Sequence, residues 1–73
     1  MKRATRVETP YAPTPPQLNA LSEYAAWAGE EWKTRLRADW MRSGSLWRSE
    51  TSGWGYLQQL RNERGFDLEG YEL

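Results

Sequence analysis

The sequence predicts an all-α protein: a small two- to three-helix domain with a disordered proline-rich N-terminal arm and a loose acidic C-terminal tail. Three observations predict it. From Leu18 to Leu60 apolar residues recur at spacings of three and four, the period of helices that bury one face. Strand formers are scarce, with no Ile and one Val in 73 residues,. All four prolines fall within residues 1–16, where no apolar pattern offsets the entropy of ordering the chain. The expected division is an arm at 1–14, a helical domain at 15–66 and an acidic tail at 67–73.

The arm, MKRATRVETPYAPTPP with its last two residues entering the first helix, sets Lys2, Arg3 and Arg6 against Glu8. Val7 and Tyr11 are its sizeable apolar handles. A first helix is expected over 15–28. Thr14-Pro15-Pro16-Gln17 has the form of a capping box, and proline at the first helical position gives up an N–H that has no helical partner anyway. Leu18, Leu21, Ala25, Ala28 and Trp32 then mark one stripe, which Tyr24 and Trp27 widen.

Gly29 interrupts this pattern. It either separates two helices, 15–28 and 30–42, or lies inside one continuous helix at a cost of about 1 kcal/mol relative to Ala. Glu30 and Glu31 suit a helix N-terminus, later arginines suit a C-terminus, and Glu31 with Arg35 forms an i, i+4 pair. Trp32, Leu36 and Trp40 share one face of the second segment, with Lys33, Arg37 and Met41 on a neighbouring one. Ser43-Gly44 closes it.

The stretch 43–53, SGSLWRSETSG, is rich in turn formers. A short helical turn at 45–49 is expected, with a hairpin through Ser49–Ser52 as the alternative. A last helix fits 53–64, capped by Thr51 or Ser52, with Trp54, Leu57, Leu60 and Arg61 at helical spacing. Gly65 suits the position after its end and Phe66 the residue that packs back. The tail, DLEGYEL, interleaves Leu68, Tyr71 and Leu73 with acids, and either docks on the basic helix or stays loose. The expected core is Leu18, Leu21, Ala25, Ala28, Trp32, Leu36, Trp40, Leu46, Trp54, Leu57, Leu60 and Phe66.

Composition narrows the function classes. With neither Cys nor His, disulfides and thiolate metal sites are absent, as are the commonest metal ligand and general base. No metal or cofactor is expected. No Ser has a base to activate it, the adjacent Glu30 and Glu31 point to different helix faces, and SGWG lacks the lysine of a phosphate loop. Catalysis is not expected. Met1-Lys2-Arg3 is not followed by an apolar run, and no stretch approaches the roughly 20 apolar residues of a membrane span. A soluble, cytoplasmic monomer is expected.

Binding remains. Ten cations balance ten acids, which disfavours tight general binding to nucleic acid, but charge is unevenly placed. The segment Glu30–Trp47, EEWKTRLRADWMRSGSLW, combines three tryptophans with dense positive charge. Eight of the ten cations are Arg, which forks onto carboxylate or phosphate, stacks on rings and, with Trp and Tyr, dominates interface hot spots. Three readings follow. One is a protein-interaction regulator. The second is a nucleic-acid binder using Arg35, Arg37, Arg42 and Arg48 with Trp40 and Trp47 for stacking. The third is a small antitoxin-like inhibitor.

In its 73-residue length, its basic arm KRATRVETPYAP and its middle EEWKTRLRADWMRSGSLW, the chain resembles the small phage regulators that bind host RNA polymerase, of the kind carried by a Xanthomonas phage. The resemblance implies a non-catalytic protein that inhibits initiation by displacing the sigma factor and promotes read-through of terminators. It implies docking near the RNA exit channel, on the N-terminal end of the largest subunit and the flap of the second-largest, inside the host bacterial cell. Lys2, Arg3 and Arg6 would then oppose or hold nascent RNA, and Val7 and Tyr11 would anchor the arm. On the folded part, Arg35, Arg37, Arg42 and Trp47 are the expected partner-binding residues, with Arg42 and Trp47 off the main stripe and facing outward.

Overall fold

The computed structural model describes residues 11–73. Within them the chain forms four helices: α1 (Pro15–Ala28), α2 (Trp32–Met41), α3 (Leu46–Glu50) and α4 (Trp54–Asn62). The class is all-α as expected. The count exceeds two or three because the short turn expected at 45–49 is a five-residue helix. No strand occurs among the described residues, so the hairpin alternative is not formed. The expectations for Lys2, Arg3, Arg6 and Val7 lie outside the described residues.

Each helix begins where local chemistry starts it. At α1, Gln17 Oε1 accepts the Thr14 backbone N–H at 2.9 Å, the Gln17 half of the capping box. The same oxygen accepts the Tyr11 hydroxyl at 2.6 Å. At α3, Ser45 Oγ accepts the Arg48 N–H at 3.2 Å, an N-cap bond. At α4 the expected caps are not used: Gly53 holds the cap position with no side-chain bond.

Two helices, not one, span 15–42. Gly29 has φ of +92°, a left-handed conformation that a Cβ disfavours. Its N–H closes α1 onto Ala25 O at 2.9 Å, and its carbonyl accepts Trp32 N–H at 3.1 Å to open α2. The chain turns here, so α1 packs against both α2 and α4.

The buried face of α1 lies one residue away from the apolar stripe. Gln17, Ala20, Leu21 and Tyr24 are buried, while Leu18 is 40% exposed. Three hydrogen bonds explain the rotation. Gln17 is drawn inward by its two donors, and the Tyr24 hydroxyl donates to Asp39 Oδ2 on α2 at 2.5 Å. Both partners are fully enclosed, Tyr24 at 0% and Asp39 at 1% exposure. The other Asp39 oxygen accepts Arg42 at 3.1 Å, so the carboxylate satisfies both sides. Burial, then the Asp39 hydrogen bond and charge, raise the Tyr24 phenol well above its usual range; the Arg35 guanidinium acts in the opposite direction,.

Indoles complete the core. Trp47 meets Tyr24 edge-on at a centroid distance of 5.1 Å, and Trp54 follows at 6.1 Å, geometries that aromatic quadrupoles favour. Trp47 is only 4% exposed, which corrects its assignment to the partner-facing surface. Leu46, expected in the core, is 62% exposed. The Ser45 cap sets the phase of α3 so that its second residue, not its first, points inward. Gly53 admits the ring: a Cβ there would lie 3.1 Å from Trp47 Cη2 and 3.3 Å from Ala20 Cβ. Leu36, Leu57 and Leu60 are buried as expected, while Trp32, Trp40, Ala28 and Phe66 pack only partly buried against the cluster, and Ala25 is half-buried.

The tail is not loose. Leu68 is buried. Phe66 stacks obliquely on Tyr71 at 5.6 Å and meets Tyr11 edge-on at 6.5 Å, so both ends of the described chain close on one aromatic group.

Truncating Trp47→Ala is expected to destabilise the fold by about 3–5 kcal/mol, the range for large buried aromatics, read as the shift in urea midpoint. A loss below about 1 kcal/mol would put the ring back on the surface. Tyr24 sets an alkaline limit. Above the ordinary phenol pKa near 10 the unfolded chain releases the Tyr24 proton while the folded chain, with its raised phenol, keeps it. That contribution to stability is whole below pH ~10 and is lost as pH rises toward the folded-state value, with a slope approaching 1.4 kcal/mol per pH unit, roughly. Tyr24→Phe should reduce this slope in urea titrations at rising pH; an unchanged slope contradicts the assignment.

Candidate interaction surfaces

The cations that sequence alone groups together separate into three places. The first is the α2 face that holds the tail. Lys33 Nζ donates to the Glu69 carbonyl at 3.3 Å and pairs with Glu72 at 3.5 Å, and Arg37 pairs with Glu69. Arg37 therefore has a partner within the chain, which removes it from a free basic stripe. Arg37 and both acids are well exposed and Lys33 less so, so each pair contributes little; the buried Leu68 is the anchor.

The second place is the corner between α1 and α2. The Arg35 guanidinium lies 4.3 Å from the centroid of the Trp27 ring, within cation–π range. Trp27 also tilts against Tyr24 at 5.6 Å, so one side of it meets the buried tyrosine ring while 41% of it stays exposed. Arg35 is exposed too. The result is an exposed cation–π pair whose ring rests on the buried Tyr24.

The third is a groove of about 540 Å³ between the end of α2 and α4, lined by Trp40, Arg42, Arg48, Trp54, Gln58 and Arg61 among others. Arg42 is fixed at its rim by Asp39. Arg48 and Arg61 make no ion pair among the described residues. A second groove, of about 400 Å³, runs between the start of α1 and α4 and is lined by Pro15, Pro16 and Tyr56 with Glu23.

Of the expected partner-binding residues, Arg35 and Arg42 are exposed on separate surfaces, Arg37 is engaged by the tail and Trp47 is buried. Tyr11 is half-buried against Gln17 and Phe66, not free as an anchor. The structure adds Trp27 and Arg61 to the exposed surfaces around these arginines. Trp54, Gln58 and Arg61 follow at spacings of four and three, so their shared helix face was visible in the sequence. The Trp27–Arg35 contact was not, because it needs the reversal at Gly29.

Comparison with family models, with curated proteins and with solved structures finds no match for this chain. None of the described helices is long and apolar enough to cross a membrane.

If Leu68 anchors the tail, Leu68→Ala should abolish hydrogen-exchange protection of the Tyr71 amide, which donates to Leu68 O at 3.2 Å. Glu69→Gln with Glu72→Gln should reduce that protection only several-fold, since exposed pairs are worth about 0–1 kcal/mol. The opposite ranking would make the tail an electrostatic attachment.

Proposed function

We propose that the protein is a non-catalytic regulator that binds bacterial RNA polymerase in the host cytoplasm, inhibits initiation by displacing the sigma factor and promotes read-through of terminators. The observation that supports a protein-binding role most directly is the exposed Trp27–Arg35 pair. Trp and Arg are the residues most enriched at interface hot spots. Here the cation–π contact is already made before any partner arrives, which lowers the ordering cost of association. It replaces Trp47 as the aromatic contact on the folded domain. RNA polymerase as the target rests on the likeness of the arm and of the Glu30–Trp47 segment to phage regulators of that enzyme. The enclosed core of Tyr24, Leu36 and Leu57 offers this surface a firm base.

The test is binding of the intact chain to purified core and sigma-bound RNA polymerase of a Xanthomonas host by biolayer interferometry, with transcription from a promoter and through a terminator as readouts. Binding to core enzyme, loss of promoter-initiated product and increased read-through are expected. Trp27→Ala and Arg35→Ala should each weaken binding at least tenfold, about 1.4 kcal/mol or more. Tyr56→Ala, on the far groove, should not. No binding by the intact chain overturns the target; binding that is indifferent to both substitutions overturns the surface.

A further inference from the structure

The groove between α2 and α4 has a chemistry that neither the fold nor the Trp27–Arg35 surface uses. Arg42 enters from the end of α2, Arg48 from α3 and Arg61 from the last turn of α4. No Asp or Glu lines it. Ten cations balance ten acids over the whole chain, yet three arginines line this groove with no acid in its lining. Asp39 lies buried behind Arg42 and holds it at 3.1 Å. It therefore orients that guanidinium without occupying the groove.

The remaining wall is uncharged: Trp40, Met41, Ser43, Trp54 and Gln58 complete it. The Trp40 indole N–H itself is enclosed, without a partner among the described residues. Such a surface suits an occupant rich in acceptor oxygens. The partly buried Trp40 ring and the exposed Met41 beside it add apolar faces next to the charge.

We infer that this groove binds the phosphate backbone of single-stranded nucleic acid, with Arg42, Arg48 and Arg61 each engaging phosphate and Trp40 lying against a base. Guanidinium forks match phosphate oxygens bidentately. Alternation of cations with an aromatic face is how single strands are held without regard to sequence. The site is a shallow, open groove built from a helix end, a short helix and a helix face. It presents no projecting helix to the major groove of a duplex. An acidic peptide would satisfy the charges but would leave the ring without a matching planar group.

This inference does not depend on RNA polymerase, because the free protein carries the whole groove. The experiment is fluorescence anisotropy of the intact chain with a labelled ten-nucleotide uridine oligomer, at several salt concentrations. Three phosphate contacts give a slope of log K against log salt of about −2, from roughly −0.7 per contact on a single strand. Arg48→Gln and Arg61→Gln should each weaken binding several-fold and flatten the slope by about 0.7, with unchanged urea midpoints. Arg35→Gln, outside the groove, should leave affinity unchanged. Trp40→Phe should weaken binding at constant slope. Absence of binding at low salt, binding that ignores Arg48→Gln and Arg61→Gln, equal affinity for a duplex of the same length, or tighter binding of an oligoglutamate peptide would each overturn it.

Discussion

A single buried hydrogen bond organises this molecule: the Tyr24 hydroxyl donates to Asp39 across α1 and α2, with both side chains enclosed. A carboxylate in such a place is tolerable only when its oxygens are satisfied. One is taken by Tyr24 and the other by Arg42. The arrangement fixes the rotation of α1, since Tyr24 must face α2, and it fixes the end of α2, since Arg42 must reach back. The interior is thereby connected to the surface. The same carboxylate that joins two helices aims the guanidinium at the rim of the α2–α4 groove, and the same tyrosine meets one side of the Trp27 ring that pairs with Arg35.

The second constraint is material. A chain with no Ile and one Val has few branched aliphatics, so volume must come from aromatic rings and Leu. Tyr24, Trp47 and Trp54 form a continuous edge-to-face series, flanked by Leu21, Leu36, Leu57 and Leu60. Rings fill space in few orientations, which makes the packing demanding of its neighbours. Gly53 is the clearest case, because the space a Cβ would need is filled by the Trp47 ring and Ala20. The tail and Tyr11 add a smaller aromatic group around Phe66 and enlarge the buried area of a chain near the lower limit for an independent core.

Helix positions were legible in the sequence wherever they follow from local chemistry. Thr14 to Gln17 marks the start of α1, Gly29 its end, and the spacing of Trp54, Leu57 and Leu60 the body of α4. Which face turns inward was less legible, because polar bonds overrode hydrophobicity. Leu18 yields to Gln17 and Ala25 to Tyr24 for the sake of hydrogen bonds that span 3, 6 and 15 residues. Trp47 looked peripheral because it lies between turn residues, yet the Ser45 cap phases α3 to drive it inward. The basic cluster was misjudged for a related reason. Arg35, Arg37, Arg42 and Arg48 are close in sequence, but the turn at Gly29, the tail acids and the carboxylate of Asp39 send them to different surfaces, and the groove gains Arg61 from a distant helix.

The functional account thus assigns the interior to holding shape and the exterior to recognition: a Trp27–Arg35 pair for a protein, resting on Tyr24, and an arginine-lined groove for phosphate, into which Asp39 directs Arg42. The most direct measurement of that claim is a double-mutant cycle on the pair, with Tyr24→Phe, Asp39→Ala and the double variant compared by urea unfolding. A coupling energy of about 1.5 kcal/mol or more, as hydrogen bonds to charged groups give, is the expected result. Additivity within roughly 0.5 kcal/mol would mean that the two helices are oriented by packing alone, and would contradict the account.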